Sequence, residues 1–231
     1  LLLAACAPTP RVPPEPTTVE ATYRLQFNDV LVGNALFVLQ IGADGAYTID
    51  AFTKPAGQMQ QTSVHEVLEN SRGRIDSQGV RPLRFERSVM LGQDVTLNRL
   101  SFDWDKRRLR HTGEEARIGA LVPGTQDRLS YLLAAWRLVT GDEAATEIQI
   151  ASVEATEKTR LEVVGKETIE IPLGRYETVA VRRATPQPDQ IRALWFETGL
   201  SPLPLRVVHG WAGSTVDMQL ESLSQDSNRP R

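Results

Sequence analysis

The residue types most often used for catalysis are present in this chain, but their spacing does not assemble a known catalytic site. The three histidines, His65, His111 and His209, stand far apart, so no close pair indicates a metal site or a catalytic dyad. We therefore predict surface or edge histidines, no metal site and no cofactor. The nucleophile elbow, the Walker loop and the dinucleotide fingerprint are all missing. These observations favour a protein that is not an enzyme.

Carboxylates are plentiful, and a pair of them could in principle form the acid pair that hydrolyses glycosidic bonds. Solvated surfaces and structural ion pairs explain such residues more simply. An enzyme that hydrolyses envelope glycans is therefore the least favoured of the alternatives. Some of the carboxylates lie in or beside segments predicted to form strands or a helix. They are Glu66, Glu69, Glu86, Asp103, Asp127 and Glu167.

The single cysteine does indicate a specific chemistry. Cys6 follows an apolar run with two small residues, Leu3-Ala4-Ala5, and this pattern resembles the lipobox of bacterial lipoproteins. The resemblance implies diacylglycerol on the Cys6 sulfur and residues 1–5 as the remnant of a signal peptide. Buried acyl chains contribute about 0.8 kcal/mol per methylene group to membrane anchoring. We expect a lipid-anchored, periplasm-facing protein of the bacterial cell envelope, and Ala7 favours the outer membrane over the inner one.

The basic cluster of the sequence consists of Lys106, Arg107, Arg108 and Arg110 and follows Trp104-Asp105, which is typical of a turn. We predict that these charges lie on a hairpin. They either contact a membrane or an acidic partner, at about 1 kcal/mol per charge near an anionic lipid surface, or are a solvated hairpin tip. The formal net charge of -3 argues against nucleic acid as a partner.

The chain of 231 residues divides into a tether and one domain. Five prolines between Ala7 and Thr18 predict that residues 6–18 form a lipidated, proline-rich tether. Residues 19–223 are predicted to form a single β-rich domain, and residues 224–231 a disordered tail. The sequence contains no run of about 18 apolar residues, so we predict no membrane-spanning helix.

Most apolar residues of the domain alternate with polar ones, which is the pattern of strands with one buried face. We expect roughly ten to twelve strands. Residues 126–140 differ, because apolar residues recur there at helical spacing. The fold class is therefore mainly β, a large curved antiparallel sheet (a meander, half-barrel or sandwich) covered by one amphipathic helix. The helical stripe, a core face or a face for an apolar ligand, consists of Leu129, Leu132, Leu133 and Trp136, with Val139 at its end.

Several stretches in a fixed order resemble an uncharacterised bacterial family of exported proteins and lipoproteins, domain of unknown function 3108. The resemblance spans roughly residues 20 to 210 and implies a curved antiparallel sheet without an established activity. The matching stretches are Val32-Gly33-Asn34-Ala35, Ser71-Arg72-Gly73-Arg74-Ile75-Asp76, Gly79-Val80-Arg81-Pro82, Phe102-Asp103-Trp104, Pro123-Gly124-Thr125-Gln126-Asp127-Arg128-Leu129-Ser130, Val164-Gly165-Lys166-Glu167, Pro172-Leu173-Gly174-Arg175-Tyr176-Glu177-Thr178, and Trp195 through Leu203-Pro204-Leu205.

The sequence supports two hypotheses about function equally. The first is a non-enzymatic envelope lipoprotein that binds an apolar ligand, a lipid or a lipid anchor, in the cavity of its curved sheet. The second is a structural or assembly module that binds another envelope protein. A deep apolar cavity favours the first, a filled interior favours the second, and a polar cleft with two facing carboxylates favours the glycan hydrolase.

Overall fold

The computed structural model describes residues 16–57, 59, 65–113, 116–152, 155–184, 191–211 and 214–227. Cys6, the signal-peptide remnant and most of the tether lie outside the described residues. The described part contains fifteen strands and one helix. Their bounds are β1 Thr17–Phe27, β2 Val30–Ile41, β3 Ala46–Pro55, β4 His65–Asp76, β5 Gly79–Leu91, β6 Asp94–Asp103, β7 Arg108–Thr112, β8 Arg117–Ala120, β9 Thr125–Gln126, α1 Ser130–Val139, β10 Ala145–Ala151, β11 Thr156–Ile171, β12 Gly174–Arg183, β13 Ile191–Phe196, β14 Arg206–Trp211 and β15 Ser214–Ser227.

All fifteen strands belong to one sheet, in the order β8-β7-β6-β5-β4-β3-β2-β1-β15-β14-β13-β12-β11-β10-β9. Each half of the sheet is a meander, and antiparallel pairing of β1 with β15 joins the halves. The neighbouring strands pair antiparallel except β9 and β10, which run parallel. The predicted fold class, a large curved antiparallel sheet with one helix, is confirmed.

Alternation places the core on one side of this sheet. On β2, Ala35, Phe37 and Leu39 are buried, whereas the residues between them are half-buried. The buried side chains of all the long strands join those of α1 in one cluster. The helix contacts β5 on one side and β9 to β13 on the other. It therefore packs against both halves of the meander rather than against a single strip of sheet.

Three predicted boundaries need correction. The regular helix begins at Ser130 rather than at residue 126, because Thr125 and Gln126 pair with β10 as the short strand β9. Residues 224–227, predicted as disordered tail, pair with the first four residues of β1. Thr17 and Thr18, predicted as tether, belong to that same pairing. Backbone hydrogen bonds from β1 to its neighbours β2 and β15 hold residues 17–18 and 224–227 in the sheet. The side chains of these residues are too polar to indicate a strand in the sequence.

The buried helix gives the first testable expectation. Leu133 is 0% exposed on α1, whereas Leu97 on β6 is 41% exposed. Leu133→Ala should lower the free energy of unfolding by about 2–5 kcal/mol, because it leaves a cavity in the core. The same substitution at Leu97 should change it by less than about 1 kcal/mol. Urea denaturation of both variants checks this, and similar losses at the two positions would contradict a tightly packed helix.

Candidate functional site

The residues predicted to form an apolar face do lie together on α1, but they are enclosed. Leu129, Leu132 and Leu133 are at most 2% exposed, and Trp136 is half-buried. Burial extends beyond the predicted stripe, because Tyr131, Ala135 and Leu138 are buried as well. A helix that is buried nearly all round is a core element rather than the cover of a sheet. Within the described residues, this face is occupied by the protein's own core.

Asp127 fixes the start of the helix. Its Oδ1 accepts hydrogen bonds from the backbone N–H groups of Leu129 and Ser130, both at 2.8 Å. The backbone N–H of Asp127 donates in return to Ser130 Oγ at 2.8 Å. Tyr131 N–H donates to the Asp127 carbonyl oxygen at 3.3 Å, so helical bonding already begins at Asp127. This reciprocal arrangement is a capping box, in which side chains satisfy backbone donors that the first turn leaves free.

The same carboxyl group ties the helix to the sheet. Ser71 on β4 donates to Asp127 Oδ2 at 2.7 Å, and the Tyr47 hydroxyl lies 3.2 Å from Ser71 Oγ. Gln126 adds a second link, because its Nε2 donates to the Val80 carbonyl oxygen of β5 at 2.8 Å. The side chains Tyr47, Ser71 and Gln126 thereby place the start of α1 over strands β3 to β5.

Burial outweighs hydrogen bonding in the electrostatics of Asp127. The side chain is fully buried, and desolvation raises its pKa to about 6, although three hydrogen bonds from Ser71, Leu129 and Ser130 act to lower it. Burial also raises the pKa of Tyr47 well above its ordinary value, and the charge of Asp127 raises it further. Asp127 therefore serves as a structural carboxyl that holds a proton more tightly in the folded protein than in the unfolded chain.

Most of the other candidate carboxylates form structural ion pairs or hydrogen bonds. The partners lie on the same strand, on one of the next two strands of the sheet, in an adjacent turn or in the segment before α1. The pairs are Glu86 with Arg84 and Arg99, Asp103 with Lys106, Glu167 with Arg182 and the Trp195 indole, and Glu69 with Arg87 and Arg128.

The basic cluster lies where the spacing predicted it. Lys106 and Arg107 occupy the β6–β7 turn, and Arg108 and Arg110 lie on β7, all exposed. Lys106 Nζ lies 3.6 Å from Asp103 Oδ2, so one of the four charges has an acidic neighbour.

The prediction of surface or edge histidines is wrong for His111, which is only 7% exposed. Its neighbours on β7, Arg110 and Thr112, are exposed, and the strand alternation that places them outside turns His111 toward the interior. His209 is half-buried, and the His65 side chain lies outside the described part. The sequence did contain a signal for the burial of His111. Leu109 and His111 are two residues apart on one strand, so their side chains face the same side of the sheet.

A row of apolar side chains on the outside of the sheet was not predicted. The apolar residues Leu36, Phe52, Leu68 and Leu97, with the polar Ser88 between the last two, are successive cross-strand neighbours on β2 to β6. We call these five residues the outer apolar row. Leu68 and Leu97 are 44% and 41% exposed. The row lines a groove of about 240 Å³. At about 4.8 Å between strands, it runs for roughly 19 Å across the sheet.

Within the described residues, His, Cys, Asp and Glu side chains do not gather in groups of three or more that could hold a metal ion. Among the described helical residues, none forms a segment long and apolar enough to cross a membrane.

The sequence matches the family described as "Protein of unknown function (DUF3108)" over residues 22–220. The chain belongs to this family. The comparison with curated protein sequences gave no match. Among solved structures, the fold is similar to a beta-barrel-like protein of domain of unknown function DUF1849 from Brucella abortus, with a TM-score of 0.60 and 10% sequence identity. The match covers 94% of this chain and 100% of that one.

The raised pKa of Asp127 predicts how stability depends on pH. A carboxyl whose pKa rises from 3.8 to about 6 on folding binds more protons in the folded state between those values. Stability is therefore lost as pH rises through this window, by an amount on the order of 2–3 kcal/mol. Asp127→Asn keeps an amide oxygen for the helix cap but does not titrate.

The measurement is urea denaturation of the wild type and of Asp127→Asn at pH 4.5 and pH 7.5. Other carboxylates contribute equally to both proteins, so the difference between them isolates Asp127. The wild type should be the relatively more stable protein at pH 4.5 and should lose that advantage by pH 7.5. Parallel pH profiles of the two proteins would contradict the role given to this residue.

Proposed function

We propose that the chain is a non-enzymatic lipoprotein of the bacterial cell envelope whose barrel-like domain binds another envelope protein. The observation that carries the proposal is the filled interior. The space that a carrier would offer to an apolar ligand is occupied here by α1 and the inward side chains of the strands. Of the two level hypotheses, the assembly module is therefore favoured over the carrier of a lipid or lipid anchor.

The outer apolar row is the surface on which this proposal places the partner. Apolar side chains that are neighbours on the outside of a sheet remain in contact with water unless another molecule covers them, and such patches commonly mark interaction sites. Polar residues border the row, including Asn70, which donates to Asp50 at 2.7 Å. An apolar centre with a hydrogen-bonded polar border is the usual composition of a protein interface. The occupant that fits is a protein segment with apolar side chains.

The direction of the strands supports a particular orientation on the membrane. Successive strands alternate in direction, so the β2–β3, β4–β5 and β6–β7 turns lie at the end of the sheet where β1 begins. Thr17, the first residue of β1, is the point where the tether toward Cys6 joins the domain. Lys106, Arg107 and Arg108 therefore lie at the same end as the tether, where they can contact anionic lipid headgroups. The outer apolar row lies on the side wall, free for a partner.

Site-specific photo-crosslinking tests the partner surface. A benzoylphenylalanine at Ser88, in the middle of the outer apolar row, should give a protein adduct of defined mass in cells of the native host. The matched control is the same residue at Val164, which is 48% exposed on β11 outside the row. The adduct should be absent at Val164.

A substitution within the outer apolar row shows whether the adduct depends on this surface. Leu68→Glu in the crosslinking protein should abolish the adduct while changing the free energy of unfolding by less than about 1 kcal/mol, because Leu68 is 44% exposed. A lipid adduct at Ser88 in place of a protein adduct would count against a protein partner on this surface. Equal adducts at Ser88 and Val164 would count against a defined binding surface.

Lipidation is tested separately at Cys6. Cys6→Ser removes the thiol that carries diacylglycerol, so it should abolish incorporation of an alkyne-labelled fatty acid and release the protein from the membrane fraction. The control is Thr9→Ser, a conservative change three residues further along the tether, which should remain labelled and membrane-bound. Labelling of the Cys6→Ser protein at the wild-type level would overturn the lipoprotein proposal.

A further inference from the structure

A cluster of charged and polar side chains faces inward on strands β4 to β7 and on the segment just before α1. Glu69 Oε1 lies 3.3 Å from Arg87 Nε and 3.3 Å from Arg128 Nε. A single carboxylate oxygen of Glu69 thus lies within ion-pair distance of the Nε atoms of both arginines. We call Glu69, Arg87, Asn98, His111 and Arg128 the polar rim cluster.

Strand register brings Asn98 and His111 beside the charged members of the cluster. Arg87 on β5 is paired with Asn98 on β6, so their side chains are neighbours. A Cβ atom added at Gly113 would overlap Asn98 Oδ1 and lie 3.5 Å from His111 Nε2. The amide and the imidazole therefore border the same space, which the missing side chain of Gly113 leaves to them.

Much of the hydrogen-bonding capacity of this cluster is unused within the described part of the chain. His111 is 7% exposed, yet neither of its ring nitrogens has a hydrogen-bond partner there. Glu69 Oε1 and Arg87 Nε are also buried without a well-aligned hydrogen bond, despite their ion-pair distance. Buried polar groups in folded proteins are nearly always satisfied by protein, water or ligand, so several unpartnered atoms in one place give a bound polar group the partners it needs.

The cluster is also reachable and carries a net charge. The Arg87 and Arg128 side chains are 28% and 44% exposed, so their free guanidinium nitrogens are accessible from the rim. Two arginines and Glu69 sum to one positive charge. A monoanion balances that charge, whereas a dianion such as a phosphate would leave a negative excess in a partly buried place. Guanidinium groups match the planar geometry of a carboxylate in particular.

We propose that the polar rim cluster binds the carboxylate group of a ligand. Arg87 and Arg128 donate to the carboxylate oxygens, Glu69 holds both arginines in place, and Asn98 and His111 supply further hydrogen-bonding groups at its border. The carboxylate belongs either to a fatty acid or to the C-terminus of a peptide. The side chains of this cluster face the opposite side of the sheet from the outer apolar row, as Glu69 does from its neighbour Leu68 on β4, so either proposal can fail without the other.

Histidine NMR on the full chain tests the proposal directly, because three histidines give few signals. The probes are hexanoate, N-acetyl-alanyl-leucine, the C-terminal amide of that dipeptide, and inorganic phosphate. At least one of the two carboxylates should shift the His111 ring signals saturably, while the His209 signals stay in place. The neutral amide should have no effect. Response to hexanoate alone identifies a fatty acid as the source, and response to the dipeptide alone identifies a peptide C-terminus.

Arginine variants provide the matched comparison. Arg128→Gln should weaken carboxylate binding about tenfold or more, because it removes a charge-assisted donor pair. Arg128→Lys, which keeps the charge but loses the fork, should weaken it several-fold. Arg99→Gln is the control, because Arg99 is 45% exposed and also contacts a glutamate, Glu86, but on the outside of the sheet. It should bind like the wild type.

Four outcomes would overturn the proposal. They are the lack of a saturable His111 shift with either carboxylate, an equal response to the amide, tighter binding of phosphate than of both carboxylates, and equal weakening by Arg99→Gln. The comparison of acid with amide uses the wild-type protein, so it decides the matter even if a variant does not fold.

Discussion

The volume inside a rolled sheet of fifteen strands is the constraint on which the rest of this structure depends. Protein interiors are packed as densely as organic crystals, and so large a sheet cannot reach that density with strand side chains alone. Helix α1 supplies the missing volume by burying leucines and a tyrosine between the two halves of the meander. The helix is therefore required by the sheet, and the sheet provides the helix with a partner on most of its circumference.

A helix that fills an interior must also begin at a defined place, and Asp127 provides that definition. Its carboxyl group caps the first turn and accepts a hydrogen bond from Ser71 on β4, so the helix end and the sheet are fixed by one group. Burial makes this costly, as the raised pKa of Asp127 indicates. Apolar residues alone would fill the space without specifying the position of the helix. The buried carboxyl group therefore specifies the position of the helix at a cost in desolvation.

The sequence predicted the features that repeat and missed those that occur once. Alternation along Tyr47, Ile49 and Ala51 was enough to predict a strand, and the stripe containing Leu129 and Leu133 was enough to predict the helix. The helix start was predicted too early, because Thr125 and Gln126 have side chains that suit a cap but backbones that pair with β10. The outer apolar row depends on the register of five strands, which no local pattern contains. The pairing of Glu69 with Arg128 depends on the position of the helix over β4.

Function in such a fold has to be sought in groups that the fold itself does not need. A structural neighbour with 10% identity shares the architecture, so few particular residues are required for it, and architecture alone does not determine function. The core leucines and the Asp127 cap are explained by packing and placement. Packing and placement do not explain the apolar row on the outside or the unsatisfied polar atoms at the rim, and both carry a cost in water or in burial. Those two features are therefore the places where binding should be sought, one facing the surroundings and one facing inward from the rim.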